Sequence, residues 1–329
     1  GCRVVNILAK GALSHVEKQL RKTPEEHILD IVTTVERLDE EGIKSNIYLE
    51  AWSNGMIDSP DYVYKFIESL QGTSIIRYML PDTLGILYPD QVSAFTGDLR
   101  NRYPHLRFDF HAHDDYGLAT ANTLAAVKAG VNGIHCTVNG MGERAGNAPL
   151  DEAVVCIHDF LDMKTSVNEK KMHTMSETVE IFSGKRIPFN KPVTGVNVFT
   201  QTAGIHADGD KKGNLYANRL LPERFNRKRH YALGKLSGKS NLDYNLKELG
   251  IELTEEQKKK VLTRIVELGD RKATITQEDL PYIISDVLEV QEEKRFTIET
   301  CIIVTSRGLR SIASLKLHFR KEPDRDFME

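Results

Sequence analysis

Several absences narrow the possibilities before any motif is considered. The 329 residues contain no apolar run near 18 residues, so no membrane-spanning helix is expected, and the first residues carry no signal-peptide pattern. Cys2, Cys136, Cys156 and Cys301 are scattered without a Cys-x-x-Cys pair. They read as buried or incidental thiols of a reducing compartment, and the cytoplasm is the expected location. A net charge of −3 provides neither a basic field for nucleic acid nor strong acidity. No Gly-x-Gly-x-x-Gly follows the first apolar run, which weakens a dinucleotide-binding reading.

What is present is an alternation. Val4, Val5, Ile7 and Leu8 suggest a buried strand, and Thr23-Pro24-Glu25-Glu26 is a helix start with a capping box and Pro at the first helical position. Ile28, Ile31, Val32, Val35 and Leu38 share one helical face, which Gly42 ends. Further strands are expected at 43–50, 74–80, 106–111 and 131–138. The intervening helices run from Ser59-Pro60 to Gly72, from Pro89 to Arg102, up to Gly130, and from Pro149 to Leu161. Such repetition predicts a parallel sheet with right-handed crossovers, as an open sheet or as part of an eight-fold barrel. Polar residues gather at strand C-termini (Lys10, Glu50, Asp82-Thr83, His111 and His113, Asn139), which favours the barrel. Beyond residue 165 the alternation stops. A helix over 167–182, a polar loop over 204–216, helices over 241–249, 254–269 and 276–287, and two strands from Phe296 onward are expected.

Leu106, Phe108 and Phe110 alternate with Arg107, Asp109 and His111, so His111 and His113 point to one side of a strand, about 7 Å apart along it. Two imidazoles at that reach can hold one divalent ion. Asn139-Gly140-Met141-Gly142-Glu143-Arg144-Ala145-Gly146-Asn147 follows the next strand. It lacks the Lys-Ser/Thr ending of a phosphate loop, but can place Asn147 on the same ion. Taken alone, it reads as a glycine-rich turn with a Glu143–Arg144 surface pair.

Together, Phe110-His111-Ala112-His113-Asp114-Asp115-Tyr116-Gly117-Leu118-Ala119 and the 139–147 stretch resemble the 2-isopropylmalate, homocitrate and citramalate synthases. The likeness continues through Thr202-Ala203-Gly204-Ile205-His206-Ala207-Asp208 and Leu233-Gly234-Lys235-Leu236-Ser237-Gly238. It implies a partial (β/α)8 barrel, about strands 4 to 8, over 1–165, and a linker subdomain over 166–240 with a loop reaching the partner's site. It also implies a small helical subdomain over 241–293 and the start of a β-containing regulatory domain over 294–329.

The activity implied is condensation of acetyl-CoA with a 2-oxo acid, then thioester hydrolysis, by a homodimer. The resemblance makes His111, His113 and Asn147 ligands of a divalent metal (Zn2+, Mn2+ or Mg2+), Thr83 a binder of the substrate carboxylate, and Glu50 the catalytic carboxylate. It assigns His206, Asp208, Asn214, Leu215 and Tyr216 to the loop that meets acetyl-CoA across the dimer, with His206 or Glu50 as general base. Leu8 and Tyr48 are bulky where an isopropyl group would need room. That suits pyruvate, brings the resemblance closest to the citramalate synthases of isoleucine biosynthesis, and leaves 2-isopropylmalate synthesis as the alternative.

The Asp-Arg strand that opens this family has no counterpart in the sequence, which begins at Gly1, so an internal piece of a longer synthase is expected. The other readings are a thioester lyase of the same barrel type and an inactive truncated chain that only associates with partner subunits.

Overall fold

The computed structural model describes residues 2–213, 215–271, 275–288, 296–304 and 312–319. Contacts divide the chain into two units, Gly1–Phe199 with Ala217–Arg229, and Thr200–Tyr216 with His230–Glu329.

In the first unit, β1 (Val4–Lys10) leads through a short turn, α1 (Leu13–His15), and a π-helical segment, Val16–Leu20, into α2 (Pro24–Glu40). Then follow β2 (Lys44–Glu50), α3 (Trp52–Asp58), α4 (Pro60–Ser69), β3 (Ile75–Asp82), α5 (Pro89–Arg102), β4 (Phe108–Ala112), α6 (Ala119–Lys128), β5 (Gly133–His135), α7 (Leu150–Leu161) and α8 (Met172–Ser183). The strands pair in parallel in the order β1-β2-β3-β4-β5. A doubly wound sheet reverses its order at a switch point; this one never does, as in a barrel wall. The α/β partial-barrel expectation therefore holds.

The two faces of the sheet differ in chemistry because side chains alternate along each strand. Ala9, Ile47, Leu49, Tyr78, Leu80, Phe108, Phe110 and Ala112 are at most 2 % exposed and form one core with α2, α4 and α5 through Ile28, Val35, Phe66, Ile67 and Leu99. Each large apolar side chain so covered stabilises the fold by about 1.5–3 kcal/mol. The opposite face carries Lys10, Tyr48, Glu50, Asp109, His111 and His135. Helix α2 starts as its sequence dictates: Glu26 N–H donates to Thr23 Oγ1 (3.2 Å) and Thr23 N–H donates to Glu26 Oε2 (2.8 Å).

Several local expectations are corrected. Ser59 does not cap α4 with its side chain; its hydroxyl oxygen instead accepts from Leu13 N–H (3.3 Å). Helix α3 went unread because it begins directly at a strand end, where Ala51 takes a left-handed φ of 58°. Strand β5 stops at His135 and not at 138, since Val138–Gly140 forms a 3-10 turn with Asn139 at φ 60°.

In the second unit, β6 (Thr200–Gln201) pairs in parallel with β7 (His230–Tyr231). The stretch expected as a polar loop begins with a helix, α9 (Gly204–Lys211). Its glycines disguise it in the sequence, yet Gly204 is dictated by packing: a Cβ there would lie 2.7 Å from the Gly238 Cα. Helices α10 (Lys239–Leu249), α11 (Glu255–Asp270) and α12 (Leu280–Leu288) bury Leu242, Leu246, Val261, Ile265, Leu280 and Ile284 together. Strands β8 (Phe296–Val304) and β9 (Ile312–Phe319) form an antiparallel pair. Among the described residues, no helix is long and apolar enough to cross a membrane.

Candidate functional site at the strand ends

The parity of β4 places His111 on the polar face, and His113 lies just past the strand end, bridged antiparallel to Asn147. The two imidazoles meet edge to face, with Nε2 atoms 3.3 Å apart. Burial holds His111 well below the ordinary imidazole range, at about 4, with His113 and His135 adding to the effect. Burial, followed by the Arg144 guanidinium, lowers His113 as well. Both rings are therefore neutral near pH 7, the form that donates a lone pair to a metal.

Three atoms here are buried without a partner: His111 Nδ1, His113 Nδ1 and Asn147 Oδ1. Asn147 is oriented by its amide nitrogen, which donates to Met141 O (3.0 Å). Unpaired buried polar atoms are costly, and their occurrence on three linked residues suits a ligand that engages them. Two neutral imidazoles and an amide oxygen fit part of a divalent ion's shell. Among the described residues, no group of three or more His, Cys, Asp or Glu is arranged to hold a metal.

The loops above these residues are fastened by Arg144. Its guanidinium donates to both carboxylate oxygens of Asp115 (2.7 and 2.9 Å) and to the Thr83 carbonyl (2.7 Å), thereby joining the loops that follow β3, β4 and β5. The surface pair with Glu143 exists at 3.4 Å, but it is the lesser contact. Glycine gives the room needed at two points of this assembly. A Cβ on Gly85, whose φ is 59°, would lie 2.9 Å from the His113 carbonyl oxygen, and one on Gly142 would lie 2.4 Å from Asn147 Nδ2.

Glu50, at the end of β2, pairs with Lys10 at the end of β1. Thr83 Oγ1 accepts from Ala51 N–H (2.9 Å), which leaves its own hydroxyl proton free to donate. Tyr48 is two residues before Glu50 on the same face; its hydroxyl lies 3.1 Å from His135 Nδ1. Leu8, in register with Tyr48, is 66 % exposed. Sequence reasoning missed Lys10 as the partner of Glu50, His135 beside His111, and the Arg144 fastening.

The remaining candidates lie in the second unit. His206, on α9, packs against Tyr216 with the rings tilted and their centroids 4.3 Å apart. Asp208 pairs with Lys212 (2.6 Å), while Leu215 and Tyr216 are exposed. Gly209 admits the Tyr216 ring, since a Cβ there would approach it to 2.4 Å. Asn214 lies outside the described residues.

The sequence is similar to those of known proteins over most of its length. The HMGL-like family matches residues 1–179, and the homocitrate synthase post-HMGL domain-like family matches residues 193–273. Two relatives come from Methanocaldococcus jannaschii. One is a 2-isopropylmalate synthase, 33 % identical over 97 % of this chain and 62 % of its own length. The other is an (R)-citramalate synthase, 31 % identical over 97 % of this chain and 64 % of its own length. The chain thus spans less than two thirds of either relative. Among solved structures, a Bacillus subtilis HMG-CoA lyase is similar at 23 % identity, covering 56 % of this chain and 65 % of its own, with a TM-score of 0.49.

Proposed function

Because the chain belongs to the HMGL-like family, we propose that the full-length protein is an acyltransferase that condenses acetyl-CoA with a 2-oxo acid, converting the acyl group to an alkyl group on transfer. The observation that carries this reading is the pair of imidazoles of His111 and His113, with Nε2 atoms 3.3 Å apart and His113 bridged to Asn147, at the carboxyl ends of parallel strands. His111, His113 and Asn147 would hold a divalent ion (Zn2+, Mn2+ or Mg2+). Such an ion supplies Lewis acidity to the ketone of the 2-oxo acid.

The chain's own residues do the rest. The Thr83 hydroxyl, fixed by Ala51 N–H, donates to the substrate carboxylate. Glu50, steadied by Lys10, or His206 removes a proton from the acetyl methyl group. The resulting carbanion adds to the ketone carbon, the carbonyl π bond breaks and its oxygen takes up a proton, and water then cleaves the thioester to give a carboxylate and free CoA. His206, Asp208, Asn214, Leu215 and Tyr216 meet acetyl-CoA from the partner subunit of a homodimer. The subdomain boundaries at 165, 240 and 293 belong to this reading, as does a reducing, cytoplasmic setting for four free cysteines.

Tyr48 and Leu8 favour pyruvate as acceptor, giving (R)-citramalate on the route to isoleucine. The second reading is 2-isopropylmalate synthesis from 2-oxoisovalerate, and relatives named for each activity stand at 31 % and 33 % identity, too close to separate them. Thiol release by the full-length protein from acetyl-CoA with each acceptor tests the proposal. Release with pyruvate, weaker release with 2-oxoisovalerate and none after chelation are expected. Release with neither acceptor overturns condensation, and a preference for 2-oxoisovalerate overturns the pyruvate assignment.

A further inference from the structure

Beside the histidine pair runs a chain of polar contacts that the proposed chemistry does not use. Leu8, Tyr48, Met79, Asp109 and Gly133 form one row across the five strands, and His135 is the register partner of His111 in the next. Arg77 Nη1 donates to both oxygens of Asp109 at 2.8 Å. Asp109 is 4 % exposed, and its Oδ2 lies 3.8 Å from His135 Nε2. On its other side, His135 offers Nδ1 to the Tyr48 hydroxyl at 3.1 Å. Gly133 makes the room for this, since a Cβ there would lie 2.6 Å from Asp109 Oδ1. The His135 ring is 5.6 Å from that of Tyr48 and 5.7 Å from that of His111.

The order of these contacts has a direction. A carboxylate facing Nε2 favours the tautomer with its proton on that nitrogen, leaving Nδ1 to accept the phenol proton. A strand fixes the Tyr48 backbone but leaves its ring free to swing about the side-chain torsions; a bond at the tip removes that freedom. We propose that His135, braced by Asp109 and Arg77, is a positioning residue that locks the Tyr48 phenol as a rigid wall and so sets the size of 2-oxo acid the site accepts. The inference rests on the condensing activity proposed above.

The test uses the full-length protein and two variants that keep the rings but remove the bond, Tyr48→Phe and His135→Phe. The readout is the ratio of kcat/KM for 2-oxobutyrate to that for pyruvate. Each variant should raise this ratio about fivefold to tenfold, a range set by what one methylene can discriminate. The double variant should go no further than the larger single one, because both remove the same contact. His135→Gln, which retains an acceptor, should recover part of the discrimination. An unchanged ratio with equally reduced kcat for both acceptors overturns the inference, and so do single effects that multiply in the double variant. Wild-type protein that releases no CoA with any 2-oxo acid ends the condensing reading and its acceptor-size consequence together. Unfolding midpoints of the same variants then read the brace alone, and additive losses overturn it.

Discussion

The candidate residues at the strand ends and those on and after α9 are held in different ways. At the strand ends three candidates are each tied to a neighbour: His113 is bridged to Asn147, Glu50 is paired with Lys10, and Thr83 is pinned to Ala51. On and after α9, His206 has the Tyr216 ring, Asp208 has a solvent-facing lysine, and Leu215 is 69 % exposed. The first group has the pre-organisation that bond-making chemistry needs. The second has the accessible surface that a large substrate or a partner subunit can cover.

This contrast predicts a graded set of outcomes. His113→Ala in the full-length protein should abolish stoichiometric metal, read by elemental analysis, and lower CoA release about 100-fold or more. Retained metal with normal release would mean that the interlocked cluster is only structural. Tyr216→Ala removes an exposed ring of the second unit. It should raise KM for acetyl-CoA about tenfold with little change in kcat or in the unfolding midpoint, and a large stability loss would erase the distinction between the two regions.

The smallest effect concerns a third, interlocked cluster, formed by Asp159, Glu169 and Arg224. Arg224 bonds both Glu169 and Asp159, and its guanidinium, followed by His158, holds the Glu169 carboxyl below its ordinary value against the opposing pull of burial. A depressed carboxylate contributes stability that is full above its unfolded pKa, about 4.3, and lost as pH falls through the lower folded value. Unfolding midpoints of the wild type should therefore fall below roughly pH 4, and Glu169→Gln should flatten that limb without altering turnover. A change in turnover would show that interlocking alone does not mark the site.

Much of this was legible in sequence because it depends on local periods. The Thr23 capping box, the alternation around Phe108 and Phe110, and the placement of His111 on the polar face all follow from a helix turn or a strand pleat. The parity that selected His111 also carries Asp109, and the fifth strand carries His135, so that signal was present. What no local rule supplies is pairing across distance. Lys10 and Glu50 are 40 residues apart, and Arg144 reaches back 61 residues to Thr83. The α9 helix stayed hidden because its glycines answer to the neighbouring Gly238 and Tyr216 and not to helix propensity.

Arg144 also bears on how the site opens. Thr83, Asp115 and the glycine loop share one guanidinium, and beneath it Asp114 N–H donates to the Gly146 carbonyl (3.0 Å) and His113 N–H to the Asp82 carbonyl (3.3 Å). Lifting any one of the three loops breaks bonds to another, so their amides are expected to exchange with solvent together in a hydrogen-exchange measurement. One guanidinium thus restrains the movement of all the loops around the histidine pair.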